Sequence, residues 1–174
     1  MQMFYLIVLR FVHVVASVCW AGGGFVTFLF VGPTAKDLEP AGTQFIAHMA
    51  GKRRFNTFMI VNSTLTVLSG ALLLWASTGG DLVSYMKTGP GLGFALGSLA
   101  GVVVYFVGMF GVGMPTGKLS QLGEEIQKAG AQPTPAQVAE LQKLDKTISF
   151  YHKVDFALVA VSLILMGTAR YWLF

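Results

Sequence analysis

The sequence predicts an all-α polytopic membrane protein, an antiparallel bundle of four transmembrane helices with both termini on the outer side. Three observations predict it. Of the 174 residues 54% are hydrophobic and only 11% charged, against about a quarter charged in an ordinary water-soluble domain. The 12 basic and 8 acidic residues are gathered into short segments, leaving four long stretches almost free of charge. Each stretch approaches the roughly 20 residues a helix needs to cross a bilayer, and together with their connections they fill 1–174 as a single domain. A mean hydropathy of +0.65 argues in the same direction, against a freely soluble enzyme.

The first span covers about 4–31, and Gly32-Pro33 is expected to end it, because proline cannot donate the amide hydrogen bond that continues a helix. No small-residue cleavage site closes this run, so it reads as a retained helix and not as a signal peptide. A polar connection follows, Thr34 to Arg54, whose second part from Gln44 reads as a helix able to continue into the second span, 55–76. Ser77-Thr-Gly-Gly-Asp-Leu turns the chain, and Thr88-Gly-Pro-Gly leads into the third span, 91–113, closed by Met114-Pro115. The third connection, 116–147, is the one substantial extramembrane piece, and Gly130-Ala-Gln-Pro-Thr-Pro divides it into two short helices. Thr134 is placed as an N-cap, with Pro135 at the first helical position and Gln137 completing a capping box. Leu141, Leu144 and Ile148 recur at helical spacing, so this helix is expected to run into the fourth span, 150–174.

The net charge of +4 does not point to nucleic acid, because the basic residues lie beside the spans, where topology accounts for them. The first and third connections hold Lys36, Lys52, Arg53, Arg54, Lys118, Lys128, Lys143 and Lys146, and the second holds only Lys87. This asymmetry puts both long connections in the cytoplasm of a bacterial inner membrane. Tyr171 and Trp172 then form an outer aromatic anchor beside Trp75 and Tyr85. The single Cys19 excludes an internal disulfide, and its mid-span position makes it a packing residue.

Three spans carry a polar or small stripe. In the first, Arg10, His13, Ser17, Trp20, Gly24 and Thr27 fall within roughly 80° of arc. The second aligns Met59, Asn62, Thr66 and Ser69, and the fourth aligns His152, Asp155, Val159, Ser162, Met166 and Arg170. These stripes are expected to converge on one axis. The third span instead has Gly93, Gly97 and Gly101 at four-residue spacing, which lets helix backbones approach closely, within the bundle in preference to a homodimer face. Charges in lipid are expensive, so Arg10 and Arg170 are expected to snorkel outward, and Asp155 to pair with Arg54, Lys153 or His152.

His13 is the chief candidate site residue. By helix rise it and Met166 lie at similar depth, roughly 12–14 Å from the outer ends, with Arg10 and Arg170 above them. An axial imidazole, a thioether across from it and two arginines placed for propionates form a b-type haem constellation, with Trp20 on the same stripe. A five-coordinate iron, or a histidine simply hydrogen-bonded to Ser17 or a backbone carbonyl, fits the same pattern. His48 and His152 belong to the cytoplasmic side, too far from His13 to share an iron, and two histidines without a third ligand make a weak copper or zinc site.

The segment Leu9-Arg-Phe-Val-His13-Val-Val-Ala-Ser-Val-Cys-Trp20-Ala-Gly-Gly23 resembles the first-helix pattern, Leu-His then Trp-x-Gly-Gly, of the CopD-like (copper-resistance D) and HemJ-like membrane proteins. Leu165-Met-Gly-Thr-Ala-Arg170-Tyr-Trp is similar to the ending of small members of that group, and Lys52-Arg-Arg-Phe and Leu68-Ser-Gly-Ala-Leu-Leu-Leu-Trp75 fit as well. The resemblance implies a four-helix membrane bundle, copper handling in the one branch and haem-dependent protoporphyrinogen oxidation in the other, with His13 as the haem-ligating position. HemJ-type proteins also carry His-x-Lys in the third helix, where this chain has Gly, Ala and Val.

The leading expectation is therefore a membrane haem b-binding protein that passes electrons or handles a small redox ligand. The alternatives are a non-enzymatic accessory or homo-oligomeric subunit of a larger membrane complex, and a copper or proton conduit using His48, Asp155 and His152. No Ser-His-Asp arrangement is credible among scattered histidines. Gly91-Leu-Gly-Phe-Ala-Leu-Gly opens an apolar span with no strand before it, and Gly113-Met-Pro-Thr-Gly-Lys118 lacks the spacing of a phosphate loop.

Overall fold

The computed structural model describes residues 2–130 and 132–174, the side chain of Gln2 excepted. Ala131, inside the divider expected between the two connection helices, lies outside the described residues. The helices are α1 Gln2–Val26, α2 Gly32–Asp37, α3 Ala41–Ala50, α4 Phe55–Thr78, α5 Leu82–Met86, α6 Gly89–Phe106, α7 Met114–Ala129 and α8 Pro135–Thr168, with a final 3-10 turn Ala169–Tyr171. No strand occurs among the described residues. Four continuous helices, Met3–Asp37, Phe55–Thr78, Gly89–Ala129 and Pro135–Tyr171, are long and apolar enough to cross a membrane. All four fall where the charge-free stretches predict them.

The prolines behave differently from the expectation. The first helix does not end at Gly32-Pro33 but runs on to Asp37, and the third passes Met114-Pro115 and continues to Ala129. In both places a π segment precedes the proline: Thr27–Val31 joins α1 to α2, and Val107–Gly113 joins α6 to α7. The Gly32 amide donates to the Thr27 carbonyl and the Met114 amide to the Met109 carbonyl, five residues back. This wider turn relieves the clash between a proline ring and the carbonyl four residues before it, so the axis continues. Conversely, α3 does not merge with α4. Gly51–Arg54 separates them, with Arg54 in a left-handed conformation at φ 54°.

Elsewhere the local signals hold. Thr134 caps α8 by accepting from the Gln137 amide, the Gln137 side chain accepts from the Thr134 amide, and Pro135 opens the helix. Between α4 and α6 the chain forms the short α5, which the expected turn did not include. Asp81 caps it by accepting from the Ser84 amide at 3.0 Å, a hydrogen bond that holds the Asp81 carboxyl below its ordinary range.

Packing divides the bundle into two tight pairs, α1 with α4 and α6 with α8. The pairs meet mainly through α4 and α6, and the seam between α1 and α8 is sparse. The glycine ladder serves α6 and α8 of the same chain. A Cβ on Gly93 would stand 2.7 Å from the Ala169 Cβ, one on Gly97 2.7 Å from the Met166 Cγ, and Ser162 donates to the Gly97 carbonyl at 2.9 Å. Large apolar side chains line the outside, among them Phe11 at 67%, Leu99 at 61% and Ile164 at 64% exposure. Continuous apolar faces of this kind suit acyl chains better than water.

Three of the four long helices, of 35, 41 and 37 residues, exceed what a hydrocarbon core of roughly 30 Å requires. Their surplus lengths, α2, α7 and the start of α8, lie at one end of the bundle. There Lys36 and Asp145 approach to 3.9 Å, α7 packs on α8, and Leu144 is buried. At the other end the Gly89 amide donates to the Phe174 carbonyl and the Trp172 indole to Thr168 Oγ1, tying the C-terminus to the start of α6.

Candidate functional site

The middle parts of the stripes of α1, α4 and α8 (His13, Ser17 and Trp20; Thr66; Val159, Ser162 and Met166) meet on a cavity of about 280 Å³ where all four long helices come together, whereas the ends of the stripes do not reach it. His13, Ser17 and Trp20 line it from α1, Thr66 and Gly70 from α4, Ser98 and Gly101 from α6, and Ser162 and Met166 from α8. Its remaining wall is aliphatic, including Val104, which is almost fully buried.

His13 is held from α4. Its Nδ1 lies 2.9 Å from the Thr66 carbonyl oxygen and 3.3 Å from Ser69 Oγ. A carbonyl oxygen can only accept, so Nδ1 carries the proton and donates, and Nε2 of the neutral ring keeps a free lone pair. Ser17 donates to the His13 carbonyl at 2.6 Å, and Thr66 Oγ1 donates to the Asn62 carbonyl at 2.8 Å, which fixes both supporting residues. Gly70 makes room for the ring: a Cβ there would stand 2.8 Å from His13 Cε1. Neither Gly70 nor the Thr66 carbonyl was named from sequence. The available signal was that Thr66, Ser69 and Gly70 share one face at i, i+3 and i+4.

Of the remaining site residues expected, Trp20 and Met166 line the cavity with His13. Arg10 and Arg170 do not: both are exposed, and neither has a carboxylate partner among the described residues. Long charged side chains keep their heads in solvated surroundings, so their alignment by spacing does not become a shared site. His48 is exposed on α3 and His152 half-buried on α8, and no group of three or more His, Cys, Asp or Glu side chains suited to a metal ion occurs among the described residues. Asp155 is not paired with Arg54, Lys153 or His152. One carboxylate oxygen, Oδ1, is enclosed without any hydrogen-bond partner among the described residues, beside the π segment of the third helix.

The donor set fits one axial imidazole. Metal-bound histidines characteristically donate their other ring N–H to a carbonyl, as His13 does to Thr66. Met166 offers a thioether in the same cavity. The volume lies just below the range of about 300–1,000 Å³ usual for organic ligands, so a planar macrocycle requires the helices around the cavity to move apart. Compared with known proteins, the chain matches no family model, no curated protein and no solved structure. What stands without comparison is the class: an all-helical bundle of four membrane-length helices around a small, mostly apolar cavity with one oriented histidine.

Proposed function

We propose that this is an integral membrane protein that binds haem b through His13 and handles electrons or a small redox ligand within the bilayer. The observation that carries the reading is the His13 ring in the central cavity, its Nδ1 committed to the Thr66 carbonyl and its Nε2 free. A haem bound there would supply a one-electron couple and, when five-coordinate, an open position for a small ligand. Each nearby residue then has a defined task. Thr66 and Ser69 set the ring's tautomer and orientation. Gly70 admits the ring, Trp20 and Val104 wall the cavity, and Met166 would be the second side chain there able to hold the group. Arg10 and Arg170, both exposed and outside the cavity lining, would have to turn inward to reach propionates.

The lysine and arginine asymmetry supports a bacterial inner-membrane protein with its long connections in the cytoplasm and both termini outside. The deciding experiment is an absorption spectrum with elemental analysis of detergent-purified protein. The expected result is a Soret band with iron near one per chain, abolished in His13→Ala while the helical fold persists. Colourless, metal-free protein that co-purifies with other subunits would replace this reading with an accessory role. Copper in place of iron would replace it with copper handling.

A further inference from the structure

The candidate haem site leaves one buried ionisable group unexplained. Asp155 lies in the apolar stretch of the fourth long helix, and its Oδ1 is enclosed with no hydrogen-bond partner among the described residues. The space it occupies exists because the facing helix has glycine there: a Cβ on Gly108, inside the π segment Val107–Gly113, would stand 3.2 Å from Oδ1.

No neighbouring element supplies a counter-charge. The π segments Val107–Gly113 and Thr27–Val31 contain no titratable residue. On α6 the only one is Tyr105, whose hydroxyl is hydrogen-bonded to Thr64 Oγ1. On α1 the groups are Tyr5, Arg10, His13 and Cys19, of which His13 is committed to Thr66. The first charge on α7 is Lys118, ten residues beyond Gly108 and so roughly 15 Å along the axis. On α8 itself Tyr151 packs against Gly111, Lys153 is exposed, and His152 is half-buried one turn nearer the long connection. No Lys or Arg among the described residues reaches Asp155 within ion-pairing distance.

A carboxylate oxygen enclosed in apolar surroundings without hydrogen bond or counter-ion is a costly state while the group is ionised, and taking up a proton removes that charge. Calcium or magnesium would take six or more oxygens and zinc or copper further His, Cys or carboxylate ligands, whereas Asp155 offers a single carboxyl beside a glycine and belongs to no group of three or more such side chains among the described residues. We propose that Asp155 is a proton-exchange site within the fourth long helix, in which the carboxyl takes up and releases a proton. The inference does not depend on haem being bound.

Every other acidic side chain is exposed, which makes the test selective. Dicyclohexylcarbodiimide enters apolar regions and adds to protonated carboxyls, leaving a stable acylurea that peptide mass spectrometry locates. In the full-length purified chain the adduct should form at Asp155 alone and be absent from Asp155→Asn. Its rate should fall by about tenfold per pH unit once the carboxyl is mostly ionised. Sodium at constant pH should leave the rate unchanged. A second readout is the infrared carbonyl stretch of a protonated acid, titrating with pH in the parent and missing from Asp155→Asn. Absence of both signals, or a rate independent of pH, overturns the proposal. Protection by sodium overturns it in favour of a bound cation.

Discussion

Gly70 and His13 show how much of this molecule is decided by single contacts across a helix pair. The imidazole lies where an alanine methyl at residue 70 would intrude, 2.8 Å from Cε1. Gly70→Ala is therefore expected to destabilise the bundle by about 1–3 kcal/mol, the usual penalty for overpacking. Gly22, one helix away, has nothing within 4 Å of an added Cβ. Gly22→Ala should leave stability unchanged or raise it by up to about 1 kcal/mol, through helix propensity alone. Unfolding in mixed detergent micelles measures both, and equal effects at the two positions would refute the assigned contact. His13 was legible in the sequence as a polar residue on an inward stripe. Its partner was not, because the Thr66 carbonyl belongs to the backbone and no side-chain pattern announces which carbonyl a ring will reach.

Among the elements, the capping box is the clearest case of local chemistry deciding a boundary. Thr134, Pro135 and Gln137 start α8 where the sequence places its start, and the helix then runs without a break for 34 residues. Thr134→Ala removes the acceptor for the Gln137 amide and is expected to cost about 1 kcal/mol. Hydrogen exchange should show the loss as faster exchange confined to the first turn of α8; faster exchange throughout the helix would contradict a local role. The prolines teach the opposite lesson. Pro33 and Pro115 carry the strongest helix-ending signals in their segments, yet both sit inside continuous helices behind a π segment. A stop signal acts on one turn of backbone, and a wider turn absorbs it where the flanking helix is held by packing, as Val107–Gly113 is by α8.

For the whole molecule, the arrangement is two helix pairs meeting around a cavity, with a helical extension at one end. The proposed orientation puts that extension in the cytoplasm and α5 outside. In a Cys19→Ser background, Val83→Cys should react with a membrane-impermeant maleimide in intact cells. Gln121→Cys should react only after the membrane is opened. Reversed labelling would invert the topology, and labelling of both in intact cells would end the four-span reading. The glycine ladder of α6 is used up within the chain, against Ala169 and Met166, and offers no support for a dimer through that face.

The sequence by itself determined that there are four membrane-length helices, roughly where each lies and, for the first, second and fourth, which residues near mid-helix turn inward. Those are properties of composition and of the 3.6-residue period, readable one segment at a time. Tertiary structure alone decided that His13 is oriented by Thr66 and admitted by Gly70, that the two arginines stay outside the cavity, and that Asp155 meets a glycine and, among the described residues, no cationic side chain. Each of these depends on the register and rotation of one helix against another. Apolar faces in lipid fix register weakly, so small-residue contacts settle it, and they are visible only once the helices are side by side.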